Sequence, residues 1–465
     1  MTTTFHASPY IEVGTTDCTN SDGRALTPLY RSSDATTLLV PTRLARLLRD
    51  RGELRADEVS DGDLASLLEH RLICAVPDAE RGRQYAAAER AGTAVGLRKF
   101  VLMPTSYCNM GCEYCGQEHV RGGTTPQHRA TVTARVTAAL ADPDTHTVTV
   151  RWFGGEPLMA FAAIRSMSRE MVTAAERHQT DYSSMIITNG ALLDLRKLRT
   201  LAHECAVRVV NITLDGTREV HDRHRPLKSG NGSYDRITQL LSTAIDMPEF
   251  DDVTFLIRTN VDVQNDEHVV PFLHEMADLG LANRPQVSFE LHEIHPWGND
   301  VAHLQMTRQK YAEKEIEWFT VMDELGLTHS MLPTVVKTNV CVATSREAEV
   351  LDASGGVFSC TEQPLVPGLE HTRLASIDEL AATARRPAGQ FDTWAESVAA
   401  GEQRCSTCSL LPVCGGACPK SWADGTPACP SLRRNIDQRL LLTAQRRGLT
   451  PVHPDAVAAG AGASS

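Results

Sequence analysis

The sequence predicts an α/β chain built on a partial parallel (β/α)6 barrel, with a small helix–strand unit before it and a cysteine-organised region after it. Three observations carry this. Six short β-rich runs alternate with stretches of helical period between Lys99 and about Gly298. Three cysteines, Cys108, Cys112 and Cys115, follow directly on the first run. Seven more crowd into residues 337 to about 445, where strand pattern is sparse.

Bulk properties narrow the class. The 465 residues suffice for two to four domains, and 42% apolar with 22% charged residues is ordinary for a globular protein. A net charge of −12 argues against a nucleic-acid partner. No run of 18 apolar residues is present, so no membrane partner is expected. The start, "MTTTFHASPYIEVGTTDCTNSDG", has no basic stretch followed by an apolar one, so the expected compartment is the cytoplasm. Thirteen cysteines there, an odd number, read as metal or redox chemistry rather than disulfides. Cys18, Cys74 and Cys205 stand outside every motif and read as packing residues or spare thiols.

In chain order, residues 24–80 read as a strand–helix–helix–strand unit, with an amphipathic helix from Pro41 and a second starting at an Asp61 or Asp63 cap. Residues 81–98 are Ala-rich and polar, a linker helix. The barrel spans 99–300, with strands "KFVLMPT", "TVTVRWF", "SMIITN", "VVNITLD", "VTFLIRTNV" and "VSFELHEI". In such folds the strands' C-terminal ends carry the chemistry. A bridging helix is expected within 301–336, the cysteine-organised domain within 337–445, and a disordered tail over 446–465.

The loop "CNMGCEYC" has the spacing C-x3-C-x2-C. Three thiolates on a four-iron cube leave one iron open to a ligand. A zinc loop completed by a distant residue such as His119 is the alternative. The spacing, with Tyr114 just before the last cysteine, resembles the radical SAM superfamily. That resemblance implies a 4Fe–4S cluster whose open iron chelates S-adenosylmethionine, releasing a 5′-deoxyadenosyl radical on reduction by a one-electron donor such as a flavodoxin or ferredoxin. Further stretches match in register. "WFGGEPL" resembles the family's GGEP element, which implies cofactor contacts at Gly154, Gly155 and Glu156. "ITNG" brings Asn189 to the end of the third strand. "TLDGTREVHDRHR" resembles the family stretch that supplies a hydroxyl at Thr213 and a guanidinium at Arg225 for the cofactor's carboxylate; Arg258 on the fifth strand is a further candidate. Catalytic candidates by position are Glu293, His295 and Glu362, and "HEIHPW" (His292, His295, Trp297) reads as pocket or core.

The remaining cysteines run C341-x13-G355-x4-C360, C405-x2-C408-x5-C414-x3-C418, then C429. They resemble the SPASM extension, which implies two auxiliary 4Fe–4S clusters and three clusters in all. Cys405, Cys408, Cys414 and Cys429 would hold one; Cys341, Cys360 and Cys418 would hold three corners of the other, leaving a ligand position open. A pair of zinc ribbons is the rival. Sulfatase-maturing members carry a cysteine where Val335 stands and an aspartate where Thr361 stands, so both positions count against that activity. The N-terminal unit resembles winged-helix leader-recognition elements of peptide-modifying enzymes, which add a peptide as a strand. Together these imply a maturase of a ribosomally made precursor peptide with a leader, forming a thioether or carbon-based crosslink. Peptide Cα epimerisation is the second enzyme reading and an iron–sulfur electron carrier the non-enzyme one.

Overall fold

The computed structural model describes residues 3–92, 96–296, 299–337 and 339–452. They divide into two compact units, one of Ala94–Ser330 with Cys341–Asp392, the other of Met1–Thr93, Met331–Val340 and Thr393–Ser465.

The first unit is the barrel. Its six predicted strands form as β1 (Leu97–Leu102), β2 (Thr147–Trp152), β3 (Asp181–Thr188), β4 (Val207–Thr213), β5 (Thr254–Val261) and β6 (Val287–Glu293), paired in that order and all parallel. β2 shows why. Val148, Val150 and Trp152 are buried while Thr147, Thr149 and Arg151 alternate with them at half-buried positions, the period-two pattern of a strand. Helices connect the strands. The one over Pro126–Leu140 starts at Thr125, whose hydroxyl accepts from the His128 N–H at 3.1 Å, with Pro126 in its first turn. Arg308–Leu325, inside the predicted bridging span, starts in the same way at Thr307, which accepts from the Lys310 N–H at 3.2 Å.

The sheet continues beyond the expected six strands. Ala348–Leu351 pairs parallel to β1, and Gly356–Phe358 and Ala375–Ser376 follow antiparallel. This segment lies in the span read as poor in strand. A buried ion cluster ties it to the barrel. Glu349 accepts from Arg98 at 2.6 Å and from Arg135 at 2.6 Å, while Arg135 also donates to the Ala381 and Ala384 carbonyls at 2.8 Å each. Removing one member would strand a buried charge, at about 3–5 kcal/mol.

In the second unit, Thr4–Ala7 is the central strand of a three-stranded antiparallel sheet between Glu53–Arg55 and Ile73–Cys74. Helices Thr42–Arg51 and Asp61–Glu69 accompany it over a core of Leu44, Leu48, Leu54, Leu67, Leu72 and Ile73. The strand–helix–helix–strand unit, expected from residue 24, takes its central strand from before that point, in the short "TFHA", too brief to show a period. A second sheet centres on Ala25–Arg31, flanked by Thr36–Pro41, Ile11–Val13 and Cys18–Thr19. Thr450–Pro451 adds to Cys18–Thr19, inside the span read as a disordered tail; residues 453–465 lie outside the described ones. A helix runs over Pro77–Gly92 where a linker helix is expected over 81–98, and residues 97 and 98 instead open β1. Among the described residues, no helix is long and apolar enough to cross a membrane.

Candidate active site

At the C-terminal ends of the barrel strands, one cavity of about 250 Å³ collects most of the candidate residues. Cys108, Cys112, Tyr114, Cys115, Gly154, Gly155, Asn189, Thr213, Arg225, Arg258, Glu293, His295 and Glu362 all line it. The loop after β1 brings the cysteines and Tyr114, the loop after β2 the glycines, the ends of β3 to β6 Asn189, Thr213, Arg258, Glu293 and His295, the end of helix Arg218–His224 brings Arg225, and the segment after Gly356–Phe358 brings Glu362. Trp297 lies outside the described residues. His292 bonds to Glu290 at 3.2 Å and does not join this lining.

The glycine pair is a shelf for the cysteine loop. A Cβ on Gly155 would stand 2.5 Å from the Tyr107 carbonyl oxygen and 2.6 Å from its carbon. Gly154 has φ +112°, and a Cβ there would stand 2.8 Å from the Thr105 carbonyl oxygen. Glu156, predicted as a cofactor contact, does not line the cavity. It is fully buried, and its carboxylate accepts from the Leu158 N–H at 2.9 Å, the Thr188 hydroxyl at 2.7 Å and the Asn189 N–H at 2.8 Å. Its role is to fix the ends of two strands, because a buried carboxylate is tolerated only with such partners.

Asn189 is positioned by that carboxylate. Its side-chain amide donates to Asn109 at 2.8 Å and approaches the Cys108 sulfur at 3.7 Å, where the Met110 N–H also points, at 3.4 Å. Lys228 donates to the Cys108 carbonyl at 2.9 Å. The first cysteine is therefore held at sulfur and at backbone. Burial pushes its thiol up to about 11, and Cys112 and Cys115 are raised for the same reason. Three crowded thiolates need a cationic partner to form, which iron supplies.

A buried polar network stands behind Tyr114 and Arg225. Tyr114 donates to Asp215 at 2.7 Å, Asn260 donates to the Tyr114 hydroxyl at 3.0 Å, and Arg225 donates to both Tyr114 and Asp215. His224 stands between Asp215 at 3.1 Å and Asp262 at 2.9 Å. Burial would push Asp215 up, but Arg225, His224 and Tyr114 outweigh it and hold the carboxyl well below the usual range. Burial likewise opposes charge on His224, yet its two carboxylate partners raise it to about 9. The Arg225 Nε–H is buried at the cavity without a hydrogen-bond partner. The donor set, an orphaned guanidinium N–H beside three thiols and a side-chain-free shelf, fits a cluster with a carboxylate-bearing ligand. Asp262 and Asn260 were missed from sequence; their only signal was their place at the end of the fifth strand.

His295, in the same lining, lies 3.3 Å from Glu293 and 3.0 Å from Gln305. Burial, Arg308, His292 and Arg258 hold His295 down at about 4, so it is neutral at pH 7. The Gln305 amide donates to Nδ1, which leaves Nε2–H to donate to Glu293. Glu362 follows Cys360, and its N–H points at that sulfur at 3.4 Å.

Among the described residues, no three His, Cys, Asp or Glu side chains converge as ligands of a single ion. A four-iron cube asks for something different, one thiolate per iron spread around a core. In the second unit Cys405, Cys408, Cys414 and Cys429 line one cavity with Leu410, Leu411 and Arg433. Burial and then the three facing thiols push Cys405 up to about 12. Cys341 and Cys360 belong to the first unit, Cys418 to the second. Cys360 packs with Ala343 and Phe391, and Cys418 precedes the short helix Pro419–Ala423.

Comparison with known proteins locates this arrangement. The model of the Radical SAM superfamily matches residues 102–276. A serine-type anaerobic sulfatase-maturating enzyme of Klebsiella pneumoniae is 22% identical over 332 residues, 67% of this chain and 79% of that protein. An uncharacterized protein of Synechocystis sp. is 29% identical over 146 residues, 29% of this chain and about a third (34%) of that protein's length. Among solved structures, anSMEcpe with bound AdoMet and Kp18Cys peptide superposes with TM-score 0.56 at 16% identity, over 75% of this chain and 98% of that one. Radical SAM domains work with S-adenosylmethionine and a 4Fe–4S cluster. The matched residues contain the three-cysteine loop, the glycine shelf and Arg225, so the likeness covers the chemistry-bearing end of the barrel: this chain is an enzyme whose residues 102–276 match the Radical SAM superfamily.

Proposed function

We propose that the chain is a SPASM-type maturase that modifies a ribosomally made peptide, forming an intramolecular thioether or carbon-based crosslink. The carrying observation is one cavity whose lining combines Cys108, Cys112, Cys115 and the orphaned Arg225 N–H with Glu293, neutral His295 and Glu362. Bound together, the reduced cluster and S-adenosylmethionine supply hydrogen-atom abstraction. Arg225 binds the carboxylate of the methionine moiety; Tyr114, Asp215 and His224 keep it oriented and charged. Asn189 steadies the Cys108 sulfur. Glu293, taking the Nε2–H of His295, is placed to receive a proton from substrate at its carboxylate.

Support for a peptide substrate comes from the fold relative solved with a Kp18Cys peptide and from the sulfatase-maturating relative. The same relatives favour sulfatase maturation as the second reading. Thr361 and Val335 speak against it, since neither supplies the expected carboxylate or thiol. Two auxiliary clusters complete the proposal, at Cys405, Cys408, Cys414 and Cys429 and at Cys341, Cys360 and Cys418. An external electron donor of flavodoxin or ferredoxin type and a cytoplasmic setting go with it, as does leader binding at the N-terminal unit.

The test is anaerobic. Reconstituted protein should carry about twelve irons per chain if three four-iron clusters are present. With reductant and S-adenosylmethionine it should release 5′-deoxyadenosine. With its precursor peptide it should give a product lighter by two hydrogens. An unchanged mass with one solvent deuterium would convert the assignment to epimerisation.

A further inference from the structure

We propose that Glu12, Ser32 and Tyr85 of the N-terminal unit are positioning residues for the four-cysteine site at Cys405, Cys408, Cys414 and Cys429. This rests on the reading above that those thiolates hold a four-iron cluster.

The chain between Cys405 and Cys414 has almost no regular structure; only Leu411–Cys414 is a single helical turn. Its backbone groups therefore need partners from elsewhere. Two backbone carbonyls and one side chain of this segment find partners in the N-terminal part of the chain. The Tyr85 hydroxyl, on helix Pro77–Gly92, donates to the Ser406 carbonyl at 2.6 Å. The Ser32 hydroxyl, just past strand Ala25–Arg31, donates to the Ser409 carbonyl. The Ser409 hydroxyl in turn donates to the carboxylate of Glu12, on strand Ile11–Val13. Ser32 is fully buried, so its bond has no water to compete with. The Tyr85 ring also packs against the cluster of Trp394, Val398, Cys405 and Leu411.

Ser406 follows Cys405, and Ser409 follows Cys408. Two of the four thiolates thus have the very next residue tied down by the N-terminal unit. Outer partners of this kind orient the ligands, and losing them costs about 10- to 100-fold in metal affinity. It follows that the second sheet and the helix Pro77–Gly92, which flank the strand–helix–helix–strand element, are also part of the four-cysteine site, and truncating all residues before the barrel would remove more than peptide binding.

The experiment compares reconstituted full-length wild type with the double variant Ser32→Ala, Tyr85→Phe. Iron content, the rate of iron loss to a chelator, and the electron paramagnetic resonance signals and midpoint potentials of the clusters are read. The expected result is that about four irons leave the variant at least about tenfold faster, and one auxiliary signal shifts in shape and potential. The signal that responds to S-adenosylmethionine should stay as in wild type. Unchanged iron retention, signals and potentials in the variant would overturn the proposal. A wild type that itself holds only about four irons would overturn the cluster reading beneath it. If the double variant does not fold, Tyr85→Phe alone keeps the ring, removes one hydroxyl and gives the same readout.

Discussion

Gly155→Ala is a one-carbon test of the cavity's construction. The new Cβ would sit 2.5 Å from the Tyr107 carbonyl oxygen, where ordinary contact begins near 3.4 Å. The obstacle is backbone, not a flexible side-chain tip, so relief requires the Tyr107–Cys108 peptide to retreat by about 0.9 Å along that line. Overpacking of this kind costs about 1–3 kcal/mol in stability, which a chain this size survives. The chemical penalty is larger, because a displacement near 1 Å at the reacting centre costs about 100-fold in rate. The assay is anaerobic 5′-deoxyadenosine formation at saturating cofactor, with iron content and thermal midpoint measured on the same preparation. Gly122→Ala is the control, since nothing lies within 4 Å of its added carbon. A Gly155→Ala enzyme that is folded, iron-loaded and within about threefold of the wild-type rate would refute the idea that the shelf sets the loop's position.

Three further expectations follow from the same geometry. Asn189→Ala removes an N–H directed at the Cys108 sulfur, so the midpoint potential of the cofactor-binding cluster should fall in a spectroscopic redox titration. His224, raised to about 9 from 6.5 by Asp215 and Asp262, contributes stability that is fully present below pH 6.5 and lost as pH rises through about 9. That gap corresponds to about 3 kcal/mol, so the stability difference between wild type and His224→Gln should shrink between pH 6 and pH 10 in denaturant titrations. Glu293→Gln should lower peptide product by about 100-fold while 5′-deoxyadenosine still accumulates, separating proton removal from hydrogen abstraction.

The barrel was legible because its strands are buried β-branched runs. "TVTVRW" and "TFLIRTNV" state their period outright, and both became strands within a residue or two of expectation. The central strand Thr4–Ala7 was not legible, because four residues carry no period and its partners lie about fifty and seventy positions away. Ala348–Leu351 escaped notice for a similar reason, its burial being decided by β1 and by the distant pair Arg98 and Arg135. At the site, the spacing of Cys108, Cys112 and Cys115 identified the loop, and local motifs led to Gly155 and Arg225. Burial and partner identity were not local properties. Glu156 carries the motif yet faces away from the cavity, and Asp262 completes the His224 clamp from a loop with no motif at all.

The discontinuity of the second unit has a consequence for biosynthesis. Thr450–Pro451 closes against Cys18–Thr19, and the helix Leu432–Arg446 packs on the sheet begun by Ala25–Arg31. Such long-range pairings are late events in folding. A ribosome must therefore release nearly the whole chain before the first strands meet their last partner, whereas the Ala94–Ser330 strands have theirs much sooner. Ser32 and Tyr85 are translated well before Ser406 and Ser409, so the order of translation delivers the clamp before it delivers the cysteines it holds.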